Sequence, residues 1–102
     1  GDVYKRQALE RRAMLKQLLV DDRLLLLDGS LHLLAFRPRQ DDPAVSARWT
    51  EQTRRELMRQ GFLLSRPRYD GHHWLKVVLG NPHTTSAHLM KLADLIRQQL
   101  TD

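Results

Sequence analysis

Cysteine is absent from the 102-residue chain, so it can build neither a disulfide framework nor a cysteine-ligated zinc or iron–sulfur centre. That absence fits a reducing compartment, and a cytoplasmic location is expected. Long apolar runs are missing too: Leu24 to Leu27 is strand-sized, far short of the roughly 20 residues that span a bilayer. No apolar stretch follows the first basic residues in the manner of a signal peptide, so neither secretion nor a membrane partner is expected. Lysine is scarce, confined to Lys5, Lys16, Lys76 and Lys91, and none of them follows a histidine. Aromatic residues make up only 6% of the chain, too few for a legible single-strand stacking platform, so nucleic acid is not the expected partner.

What is present reads as one folded domain, with 41% hydrophobic and 28% charged residues. The formal charge of +5 comes from basic residues spread along the chain, which leaves an anionic partner without an address. Residues 1–7 stand apart. Asp2-Val3-Tyr4-Lys5-Arg6-Gln7 looks like the translation of a transposase-type sequencing adaptor, which makes 1–7 a non-native leader and 8–102 the domain; a polar helix start is the other reading.

One stretch organises the remainder: His73-Trp74-Leu75-Lys76-Val77-Val78-Leu79, followed by Gly80-Asn81-Pro82-His83-Thr84-Thr85. Its β-branched and aromatic residues favour a strand, Gly80 and Pro82 stop it, and the threonines can cap a helix from Ser86 to Leu100. Upstream, Ala8 to Val20 reads as an amphipathic helix with Leu9, Ala13, Met14, Leu18 and Leu19 inward. Leu24 to Leu27 and Leu31 to Arg37 read as a hairpin around Asp28-Gly29-Ser30, with Gly29 supplying a positive φ. A helix from Ala44 to Gln60 follows, facing inward through Val45, Trp49, Leu57 and Met58 and stopped by Gly61. Phe62 to Arg68 reads as a third strand, turning at Asp70-Gly71 into the fourth. The order is α-β-β-α-β-β-α, and hairpin connections imply an α+β fold: a small, mostly antiparallel four-stranded sheet with three helices on one face.

That architecture leaves one sheet face unprovided for. Strand alternation sets Trp74, Lys76 and Val78 on the side opposite Leu75, Val77 and Leu79, and His32, Leu34 and Phe36 are read as part of the same surplus. A chain this short has little material left to cover it, so another domain or subunit is expected there.

These residues carry a resemblance. The strand Leu31 to Arg37, the charged helix, the Tyr69-Asp70-Gly71 hairpin, Trp74-Leu75-Lys76-Val77, and Leu79-Gly80-Asn81-Pro82-His83-Thr84-Thr85 resemble the C-terminal small domain of group II pyridoxal-phosphate-dependent amino-acid decarboxylases, over Ala8 to Leu100. The strand followed by Asn-Pro-Xaa-Thr-Thr and a helix is its most specific part. The resemblance implies a carboxy-lyase acting on a diamino, acidic or aromatic L-amino acid, with pyridoxal 5'-phosphate as electron sink, in a homodimeric parent whose large domain carries the cofactor and the Schiff-base lysine. It implies no catalytic and no cofactor-binding residue within this chain, which alone is expected to be inactive.

One residue is a candidate for substrate contact. Lys76 stands where members of the family often carry an arginine able to meet the substrate carboxylate; lysine offers a point charge on a flexible stem in place of a planar fork. The other reading of Lys76 is a snorkelling side chain, methylenes on the sheet and ammonium in water. No metal is expected, because His72, His73, His83 and His88 lack ligand spacing, and no serine sits in a nucleophile elbow. The alternative function is a self-standing binding module that presents Arg48, Arg55 and Arg59 of the central helix to nucleic acid or an acidic protein.

Overall fold

The computed structural model describes residues 2–101; Gly1, in the expected leader, and Asp102, at the expected domain end, lie outside the described residues. The elements are α1 (Asp2–Leu18), β1 (Leu24–Asp28), β2 (Leu33–Pro38), α2 (Pro43–Arg59), β3 (Arg68–Tyr69), β4 (His72–His73), β5 (Leu75–Val78) and α3 (Ser86–Gln98). The α+β class and the order of helices and hairpins are as the sequence predicts. Among the described residues, no helix is long and apolar enough to cross a membrane.

The sheet itself is thinner than expected. Its strands are ordered β1-β2-β5, all antiparallel, while β3 and β4 form a separate two-stranded ribbon. The stretch read as a third strand, Phe62 to Arg68, touches β5 only through a bridge from Ser65 to Lys76. Pro67 has no N–H to continue the ladder, and its carbonyl instead accepts the Trp74 N–H at 2.9 Å. The ribbon turns at Asp70 and Gly71, whose φ values of 54° and 78° are those of the tight hairpin the Asp-Gly pair signals.

The register fixes which side chains face which way. Leu34 pairs with Val77 and Phe36 with Leu75, and all four are buried beneath the helices. Ala35 pairs with Lys76 and Leu33 with Val78 on the other side. Leu34 and Phe36 therefore belong to the core, not to the uncovered surplus; one residue of register separates the two assignments. Leu15 and Leu19 of α1, Leu57 of α2, and Leu89, Leu92, Ala93 and Ile96 of α3 complete one continuous core. Each fully buried leucine or phenylalanine contributes about 1.5–3 kcal/mol before entropy is counted.

Two helices follow their expected periodicity only in part: Leu19 and Leu57 are buried and Met14, Leu18 and Trp49 pack against the core, but other positions differ. In α1 Ala8 and Leu15 are buried while Ala13 is exposed, and the helix ends at Leu18 because Asp21 and Arg23 organise the turn into β1. Asp2 to Gln7 form its exposed first turns. In α2 the inward row is Ser46, Thr50, Thr53 and Leu57, whereas Met58 is 47% exposed. Small hydroxyl side chains can line a helix–sheet contact when they bond back along the helix, as Ser46 does to Pro43 O and Thr50 to Ser46 O.

The hairpin between β1 and β2 also differs in detail. Leu31, not Gly29, takes the left-handed conformation, with φ 46°. Gly29 is needed for space: a Cβ there would lie 2.6 Å from Leu33 Cβ. At the far corner Thr85 caps α3, accepting from His88 N–H while His88 Nδ1 accepts from Thr85 N–H.

Candidate functional site

Alternation in β1, β2 and β5 leaves a second face carrying Leu25 and Leu27, Leu33, Ala35 and Arg37, and Lys76 and Val78. No helix covers it: Leu27 is 39% exposed and Val78 57%. At one end the β3–β4 ribbon folds over, and Trp74 is buried there. Its indole N–H donates to Tyr69 O at 3.0 Å, and the Arg37 guanidinium lies 5.0 Å from its ring centre. Trp74 thus belongs to the row predicted to be open but finds local cover. Between Trp74, Tyr69 and Pro67 on one side and Leu27, Leu33 and Ala35 on the other lies a concavity of about 270 Å³.

Lys76 lines that concavity, half-buried, with Ala35 across the strand and its backbone bonded to Ser65. Among the described residues no carboxylate pairs with it. The neighbouring Asp28 is already engaged, accepting from Lys16 Nζ at 2.9 Å. An ammonium on an apolar shelf without an internal counter-ion is suited to an incoming carboxylate.

The basic stripe of α2 looks different once its partners are seen. Arg55 Nε donates to Glu51 at 2.9 Å and Arg59 to Glu56 at 2.5 Å, while Arg54 also reaches Glu51. Hydrogen bonds from Arg54, opposed by partial desolvation, and from Arg55 hold Glu51 below its ordinary value. The cations at 55 and 59 are compensated within the helix, which leaves exposed Arg48 as a weak basis for an anionic partner.

The histidines do not converge. Among the described residues, no group of three His, Cys, Asp or Glu side chains is placed to hold a metal ion. His73 is pushed below its usual value by burial, with Arg66 and Arg68 adding to the effect. The structure does bring together one pair that spacing could not reveal: His72 Nδ1 lies 3.0 Å from the fully buried Ser46 Oγ. Ser46 Oγ is also 3.0 Å from Pro43 O, so the pair ties the ribbon to α2 and offers no accessible nucleophile. Arg37, stacked on Trp74, was likewise not legible, because its position on the open face depends on the β2–β5 register.

No protein-family model matches the sequence, and no curated protein matches it. Solved structures do. The Oryza sativa enzyme TDC, with PLP and tryptamine, superposes with a TM-score of 0.84 at 16% identity, covering 94% of this chain and 21% of that one. Catharanthus roseus tryptophan decarboxylase in complex with L-tryptophan gives 0.81 at 18% identity, covering 94% and 22%. The glutamate decarboxylase domain of the Vibrio parahaemolyticus diaminobutyrate-pyruvate transaminase and L-2,4-diaminobutyrate decarboxylase gives 0.75 at 24%, covering 97% and 22%. The fold is that of part of the group II PLP-dependent decarboxylases. This chain spans about a fifth of the length of the decarboxylases it matches.

The residues of this chain do not by themselves make a PLP cradle. The helix starts that could hold a phosphate are closed by their own side chains, Asp42 accepting from Ala44 N–H on α2 and Thr85 from His88 N–H on α3. Asp2 at the start of α1 is itself acidic. Asp28, the carboxylate that lines the concavity with Lys76, is already paired with Lys16, and Lys76 has no phosphate-binding loop beside it.

Proposed function

We propose that this chain is the C-terminal small domain of a PLP-dependent amino-acid decarboxylase, with residues 1–7 a non-native leader and 8–102 the domain. The open sheet face is the surface that would seat on the large domain, in a parent we place in the cytoplasm as a homodimer. The observation that carries the reading is the coincidence of a decarboxylase-type fold with one bare, apolar sheet face bearing an unpaired lysine. Lys76 is the candidate for binding the carboxylate of the amino-acid substrate. The cofactor is assigned to the large domain, so the chain alone is catalytically silent. The binding-module alternative has no comparable support, since Arg55 and Arg59 are spent on Glu51 and Glu56.

Reading the DNA upstream in the same frame tests the assignment: a large domain with a His-Lys pair is expected, and an intact unrelated gene start would sink it. For Lys76, residues 8–101 can replace the matching portion of the Vibrio parahaemolyticus decarboxylase domain. In a PLP-loaded chimera, Lys76→Met is expected to lower kcat/KM by a margin equivalent to about 1.5–3 kcal/mol, with Lys76→Arg retaining far more activity. Unchanged kcat/KM in Lys76→Met would leave only the snorkelling side chain.

A further inference from the structure

A concavity of about 510 Å³ lies away from Lys76 at the Val78 end of the outer edge of β5, between residues 60–64 and the first turns of α3. Leu33 gives its N–H to Ser30 O and its carbonyl to Gly29 N–H, so it exchanges no bonds with its register partner Val78. The N–H and C=O of Val78 therefore point away from β2, toward the edge where Lys76 exchanges both of its bonds with Ser65. A continued ladder would set Leu63 opposite Val78. Instead the two segments part, no backbone bond joins Val78 to residues 60–64, and Leu63 is left 81% exposed.

The groove has three features of a peptide site. Val78 offers an unpaired donor and acceptor at strand spacing, which an extended backbone matches in both. Phe62, Leu64, Leu89 and Leu92 supply an apolar lining. The ionisable side chains that line it are His88 and Lys91, without any Asp or Glu, and among the described residues Lys91 has no ion-pair partner. His88 Nδ1 is occupied by Thr85 N–H, which leaves its other ring nitrogen as a donor. We propose that this groove takes an extended, acidic segment of a partner polypeptide as an added strand on β5, its alternate side chain entering the apolar groove and a carboxylate meeting Lys91. The inference stands independently of the decarboxylase reading.

The test uses the full chain and two end-blocked pentapeptides, Glu-Val-Thr-Val-Glu and Lys-Val-Thr-Val-Lys, with hydrogen exchange resolved at the Val78 amide. The acidic peptide is expected to slow exchange there by about tenfold or more, and the lysine peptide to leave it unchanged. Lys91→Glu should reverse that preference. Val78→Pro, which removes the donor at an edge position, should abolish the acidic peptide's effect on neighbouring amides; if that variant fails to fold, the Lys91→Glu reversal carries the same information. Equal binding of both peptides, or binding without slowing at Val78, overturns the proposal. So does a Val78 amide that is already slow without peptide, whether sedimentation then shows a second copy in the groove or a monomer whose own Phe62–Leu64 has closed on β5.

Discussion

The two faces of the same three strands have opposite fates. On one, Leu34, Phe36 and Leu75 have no exposure at all beneath three helices. On the other, Leu27 and Val78 remain open and, among the described residues, Lys76 has no ion-pair partner and the β3–β4 ribbon alone provides cover, over Trp74. Composition does not distinguish them, because both rows are mainly apolar. The difference comes from the amount of chain available: the helices' apolar stripes suffice for one face. Under the proposed function, the second apolar face is the one that would seat on a large domain.

The largest expected effect separates the faces directly. Phe36→Ala removes a fully buried ring that meets Trp49 edge-on at 6.2 Å, and should cost about 3–5 kcal/mol in urea denaturation. Val78→Ala on the open face should change stability by no more than about 0.5 kcal/mol. A large loss at Val78 in the isolated chain would mean that its face is covered, by self-association or by the chain's own residues, and the contrast would fail.

A smaller effect sharpens the account of the closed face. Thr53 Oγ1 is buried without a hydrogen-bond partner, unlike Thr50, which donates to Ser46 O and accepts from Arg66 Nε at 2.9 Å. Thr53→Val keeps the shape and removes an unsatisfied hydroxyl, so it should stabilise by about 1 kcal/mol, while Thr50→Val should destabilise by a similar amount. Equal responses at the two positions would show that the helix–sheet contact does not discriminate between them.

The smallest effect lies outside both faces. Arg23 side-chain and backbone donors hold Asp21 at about 2, below its ordinary 3.8. The unfolded chain therefore takes up this proton at a higher pH than the folded one. The stabilisation is complete above pH 3.8 and is lost as pH falls toward 2. Asp21→Asn should flatten that part of a stability–pH curve without altering the contrast between Phe36 and Val78, and an unchanged slope would remove the pair from the account.

Much of the fold was legible. The α3 stripe Leu89, Leu92, Ala93 and Ile96 is buried as its spacing predicts, and Asp70-Gly71 makes the hairpin its dipeptide signals. The misses have two causes. Ser46, Thr50 and Thr53 are inward although polar, because back-bonding within α2 satisfies two of their hydroxyls; no hydropathy pattern encodes that. Ala13 and Leu15 exchanged roles because α1 packs chiefly against α3 and only lightly on the sheet, so its buried stripe is set by a partner distant in sequence.

The candidate site was legible in part. Lys76 stood out as one cation in an apolar strand, and its face followed from alternation alone. Its neighbours did not: Ala35 and Leu33, not Leu34 and Phe36, share its side, since register depends on how β2 meets β5.

By itself, the sequence determined the local elements, their order, and the presence of more apolar strand surface than the chain could cover, because period, turn chemistry and caps act over a few residues. Tertiary structure alone decided which row became core, that the stretch read as the third strand, Phe62 to Arg68, shrank to the Ser65–Lys76 bridge, and that Val78 kept an unpaired edge. Those outcomes depend on pairings between residues far apart in the chain, whose competing registers differ by a single step and are chosen by the packing of the whole core.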